Sequence, residues 1–124
     1  MKTSDHAIDK VYDILNAATG IGIFKITKPS KRTDSEYIVI NSLPMGPGVL
    51  QKCPVNVNYY VSDMQPGTPD LDKLETGTEQ FMTVLEDVSE TGLHIDFESQ
   101  EYFREPGQDK HYSNIRLSVK LINS

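Results

Sequence analysis

The chain has 124 residues and a mass of 13.9 kDa, with 37% hydrophobic and 24% charged residues. That is the length of one domain, too apolar for a disordered chain and without the roughly 18-residue apolar run that crosses a bilayer. The net charge of −6 opposes nucleic acid binding, and the single cysteine, Cys53, excludes a disulfide framework or a cysteine-rich metal site.

The opening stretch Met1–His6 has no apolar signal-peptide region, so a soluble, cytoplasmic single domain over 1–124 is expected. The charge is unevenly placed: residues 1–62 carry a net +2 and residues 63–124 a net −8. The first helix is predicted from Ser4 to Ala18, where Ile8, Val11, Tyr12, Leu15 and Ala18 recur at helical spacing. Thr3 or Ser4 caps it and Gly20 ends it. Gly20-Ile21-Gly22 lacks the third glycine of a dinucleotide fingerprint and reads as a helix end.

Ile21 to Thr27 reads as a short strand. The polar loop that follows holds Lys28, Lys31 and Arg32, which with Lys25 form a basic cluster. In an acidic chain this reads as a solvated hairpin loop rather than a phosphate contact. Glu36 to Leu43 is a strand, and Pro54 to Asp63 is another, with Val55, Val57, Tyr59 and Val61 alternating against Asn56, Asn58, Tyr60 and Ser62. Such alternation marks a sheet buried on one face and polar on the other. The long Leu43–Pro54 connection carries Met45, Val49 and Leu50 on a Gly/Pro-rich frame. Apolar residues on such a loop either cover the core or meet a partner.

Met64 to Pro69 breaks the sheet, and Asp70 caps a second helix. Its apolar stripe runs Leu71, Leu74, Thr78, Phe81, Met82, Leu85 and Val88, leaving Glu75, Glu79 and Glu86 on an acidic outer side. Gly77 inside it costs up to about 1 kcal/mol against Ala and implies close packing or an uneven helix start. Gly92 ends the helix. Leu93 to Ser99 alternates, and Tyr102-Phe103-Arg104 continues the strand past a bulge near Ser99-Gln100. Pro106 and Gly107 occupy the central positions of a type II turn. The closing strand runs from His111 to Ile122, with Ile115, Leu117, Val119 and Leu121 inward. The fold expected is α+β: a mostly antiparallel sheet of four to five strands with two amphipathic helices on one face, in the order α-β-β-β-α-β-β.

Sites of chemistry are sparse. His94-x-Asp96-x-Glu98 puts three metal-ligand types on one side of a strand, a pattern that the wet face of a half-buried strand also produces. His6, His94 and His111 lie far apart, and no nucleophile elbow, P-loop or zinc-protease motif is present. Cys53, before Pro54, reads as a small buried hydrophobe. No catalytic, cofactor-binding or metal-binding residue is assigned. Tyr59-Tyr60 and Tyr102-Phe103 each place one aromatic on either sheet face, and the exposed members read as contact residues.

Taken with this element order, several segments resemble the tail-terminator (tail-completion) proteins of long-tailed bacteriophages and prophages. They are the N-terminal helix Ala7–Ala18, the Glu36–Ile40 strand "EYIVI", the Val55–Tyr60 strand "VNVNYY", the acidic helix Leu71–Val88, and "EYFREPGQD" from Glu101 to Asp109 before the strand Asn114–Ile122. The resemblance covers nearly the whole chain. It implies a structural protein without catalysis or cofactor, which forms a ring, commonly a hexamer, that caps the tail tube and joins it to the head. Its partners would be copies of itself, tail-tube proteins and head-connector proteins, with no sequence-specific nucleic acid and no membrane. It would be cytoplasmic during assembly and then part of the virion. A head-to-tail ring needs two unlike patches per subunit, which the charge split supplies. The candidate interface residues are Lys28, Lys31, Arg32, Met45, Val49, Leu50, Glu75, Glu79 and Glu86. The alternatives are a small-molecule-binding cone-shaped domain of the cystatin or nuclear-transport-factor-like type, with Tyr59, Tyr60, His94 and Asp96 in its pocket, or another phage neck or baseplate protein.

Overall fold

Ser4–Ala18 forms helix α1, and strands β1 (Gly22–Lys25), β2 (Glu36–Ser42) and β3 (Lys52–Ser62) follow. Helix α2 (Leu71–Glu86) and strands β4 (Leu93–Arg104) and β5 (Lys110–Leu121) complete the order α-β-β-β-α-β-β. This computed structural model describes residues 4–25, 35–42, 52–86, 88 and 93–121. The strands make one α+β sheet in the order β1-β2-β3-β5-β4.

The sheet is antiparallel except at β1, which pairs parallel with β2 through Gly22↔Tyr37 and Lys25↔Ile40. The hairpin expected after β1 is therefore corrected. The chain leaves β1 at Lys25 and must return to the far end of β2 before Glu36, so the connection is a crossover.

Alternation sorts the side chains. Val55, Val57, Tyr59 and Val61 of β3 point to one face with Ile38 and Ile40 of β2 and Ile115, Leu117 and Val119 of β5; all are buried. Both helices pack on that face, α1 over β1, β2 and β3, and α2 over β3 and β5. Helix α1 contributes Ala7, Ile8, Val11 and Leu15, and α2 contributes Leu74, Phe81 and Leu85. Two stripe ends differ from expectation. Ala18 is exposed, and Leu71 is 56% exposed, because each sits in a terminal turn that runs past the sheet's covered area.

Asp70 caps α2 as expected, its Oδ1 accepting the Lys73 N–H at 3.2 Å. Gly77 explains itself by close packing. A Cβ there would lie 2.4 Å from Cε2 of Tyr59, whose ring stands edge-on to Phe81 at 5.0 Å between centroids. The strand β4 bulges at Glu98, one residue before the expected place: Phe97 faces Leu117 and Ser99 faces Arg116, the very next residue back along β5. The turn at Pro106-Gly107 has Gly107 at φ +75°, with the Gln108 N–H donating to the Glu105 carbonyl, as type II requires.

Candidate functional site

The face away from the helices carries a row of five rings, one from each strand. Register brings Tyr37 opposite Tyr60, Tyr60 opposite Tyr112, and Phe103 opposite Tyr112. The Tyr37 and Tyr60 rings stack at 4.7 Å and 11°, Tyr60 and Tyr112 lie 4.7 Å apart, and Tyr112 and Phe103 lie 5.4 Å apart. Phe24 meets Tyr37 edge-on at 6.2 Å, and the Lys110 ammonium sits 4.9 Å over the Tyr37 ring while donating to its hydroxyl. The rings spend their faces on one another, so the row holds strands together rather than offering a stacking platform. Burial, together with the Glu105 carboxylate beside it, pushes the Tyr60 phenol far above its ordinary range.

Beside this row runs a band of amides. Asn56 Nδ2 donates to Asn41 Oδ1 at 3.1 Å, and Asn114 Nδ2 donates to Asn58 Oδ1 at 2.7 Å and Asn56 Oδ1 at 3.3 Å. The polar face read from the alternation is thus satisfied internally, and Asn58 and Ser118 are buried.

On the helix side, Tyr59 donates to Glu36 Oε2 at 2.5 Å, and Lys73 Nζ stands 4.0 Å from the same oxygen. Burial first, and the Glu36 carboxylate second, hold this phenol far above its usual range. These groups border a solvent-open recess of about 440 Å³, also lined by Ile21, Asp70, Asp72 and Gln80. The ligand-pocket set does not converge there, because Tyr59 lies under the helices whereas Tyr60, His94 and Asp96 lie on the opposite face.

His94 and Asp96 bond to each other at 2.9 Å on the exposed strand, and the bulge takes Glu98 out of their alternation. Among the described residues, no three His, Cys, Asp or Glu side chains converge as a metal site. A different pair was hidden by 48 residues of separation. His111 Nδ1 lies 2.6 Å from Asp63 Oδ1, a carboxylate only 1% exposed, while the Gly67 N–H donates to Asp63 Oδ2 at 3.1 Å. This ties the type II turn at Pro66-Gly67 to the start of β5. A third group closes the interior of the helix side. Thr78 Oγ1 donates to the Leu74 carbonyl and lies 2.7 Å from Ser113 Oγ, which also receives Gln100 Nε2–H.

Of the candidate interface residues, Glu75, Glu79 and Glu86 are exposed on α2. Lys28, Lys31, Arg32, Met45, Val49 and Leu50 lie outside the described residues. Of the two aromatic pairs, Tyr59 is buried and Tyr60 half-buried, whereas Tyr102 and Phe103 are both exposed, at 43% and 41%. Tyr102 lies on the helix-side row of β4, opposite Ser113, and Phe103 on the other face, opposite Tyr112. No helix among the described residues is long and apolar enough to cross a membrane. Set against known proteins, the chain matches no family model and no curated sequence.

Proposed function

We propose that the chain is a structural, self-associating subunit of the tail-terminator type, whose ring caps a tail tube and presents a surface to the head. One observation supports this reading above the others: among the described residues the sheet ends in two unpaired edges of different character. At one side stands β1, four residues long and parallel to its neighbour; at the other stands β4, twelve residues long and antiparallel. Unlike edges on opposite sides of one sheet are what a head-to-tail contact uses, and repetition of such a contact closes into a ring. The role is assembly in the virion, and it assigns no residue to catalysis and needs no cofactor. Light scattering and electron microscopy of the purified chain test it. Closed rings, hexameric by the family resemblance, are the expected result; a strict monomer at high concentration overturns it.

A further inference from the structure

The ring row of the outer face begins on one edge strand and ends on the other. On β1, Phe24 lies on that face, where it meets Tyr37, and Ile23 and Lys25 lie on the helix side, opposite Ile38 and Ile40. On β4, Phe103 lies on the outer face, and Tyr102 and Arg104 lie on the helix side, opposite Ser113 and His111. Among the described residues Phe103 meets no ring beyond Tyr112. Past the bulge at Glu98, residues 101–104 of β4 are exposed on both faces. Tyr102 and Phe103 thus leave apolar area open beside the unpaired backbone of an edge strand, a combination that fits an added strand.

We propose that β1 of a second copy of this chain adds to the Ser99–Arg104 edge of β4 as an antiparallel strand, its Phe24 set against Phe103. The inference rests on the self-association reading above and names the contact by which one copy holds the next. Strand direction supports it. β1 runs with β2, β2 against β3, β3 against β5 and β5 against β4. β1 and β4 therefore run oppositely, and a copy placed alongside the same way up brings them together antiparallel. Face alternation agrees. With Phe24 opposite Phe103, Ile23 falls opposite Arg104 and Lys25 opposite Tyr102, and every pair shares a face; a slip of one residue breaks all three matches. The ring row then continues from copy to copy. Charge agrees as well. Lys25, held to Asp9 and 44% exposed, stands beside Tyr102, whose phenol is pushed up by burial and then by the nearby Glu75 and Glu79 carboxylates. The four residues of β1 fit the run beyond the bulge. Each copy gives at β1 and receives at β4, so the contact is heterologous.

Disulfide trapping tests this. Phe24→Cys and Phe103→Cys are made separately in the full chain with Cys53→Ala, mixed, and oxidised mildly. Facing residues of an antiparallel pair have Cα atoms about 4.5–5.5 Å apart, within the span of a disulfide. In one chain the two positions lie on opposite edges, four strand spacings or about 19 Å apart, so the bond forms only between copies. The mixture should yield a covalent dimer with one chain of each kind, and neither variant should link to itself. Phe103→Glu, checked for folding by circular dichroism, should associate about tenfold more weakly in sedimentation, since it removes a ring contact and sets a carboxylate against Phe24. If the wild type assembles while the mixture stays unlinked, self-association stands and this pairing is wrong, whatever Phe103→Glu does. If Phe103→Cys links to itself instead, two β4 edges meet about a two-fold axis and the proposal falls. A wild type that never associates overturns the assembly reading together with this one.

Discussion

Replacing Gly77 with alanine sets two effects against each other, and the structure decides the sign. Helix propensity alone favours alanine by about 1 kcal/mol in a helix interior. The new methyl, however, would stand 2.4 Å from Cε2 of Tyr59, over 1 Å inside a carbon–carbon contact of about 3.5 Å. The ring has nowhere cheap to go: it is held edge-on to Phe81 and by its hydrogen bond to Glu36, and it is 2% exposed. Overpacking of this kind costs about 1–3 kcal/mol, so after the propensity gain Gly77→Ala should destabilise by up to about 2 kcal/mol net. At this size each kcal/mol lowers Tm by about 4 °C. In a Tyr59→Leu background the obstructing ring is gone, and the same glycine substitution should stabilise by up to about 1 kcal/mol. Urea denaturation of the four proteins measures this double-mutant cycle. A wild-type chain made more stable by Gly77→Ala would refute the packing argument, as would an effect independent of residue 59.

Asp63→Asn should cost about 1–3 kcal/mol, since it removes the charge that accepts from His111 and Gly67 in a buried position; urea denaturation at neutral pH measures it. The phenols of Tyr59 and Tyr60 have folded pKa values raised above the unfolded value near 10. Their stabilisation is therefore complete below pH 10 and is lost as pH rises beyond it. Near-ultraviolet titration should show exposed tyrosines ionising first and these two only as the chain unfolds; a single early step for all six tyrosines would contradict this. Cys53 is 2% exposed and burial pushes its thiol up, so an aromatic disulfide reagent should label it at the rate of unfolding and not before.

Periodicity carried much of this fold. The spacing of Val11, Leu15, Leu74, Phe81 and Leu85 and the alternation through β3 and β5 depend only on which side of an element faces the core, and one residue's neighbours in sequence report that. Gly77 was also visible as a break in helix propensity. The direction of β1 was not, because four residues of strand read the same beside a parallel or an antiparallel partner. The Asp63–His111 pair and the five-ring row were equally hidden. Their members come from separate strands, and only the pairing register joins them.

That register has its own guard. Sliding β5 by one residue along β3 would turn its buried row outward, and the hydrophobic pattern forbids it. Sliding it by two would keep every face correct, and Val57 or Val55 would meet Leu117 or Ile115 with little loss. The ring row and the amides tell these arrangements apart, because a two-residue slip sets Tyr60 against Asn114 and strips the asparagines of their partners. Aromatic cross-strand pairs contribute about 0.2–1 kcal/mol each. The outer face thus acts as a proofreading key, adding to the buried Thr78–Ser113 contact in selecting one alignment of the sheet where apolar packing alone discriminates weakly.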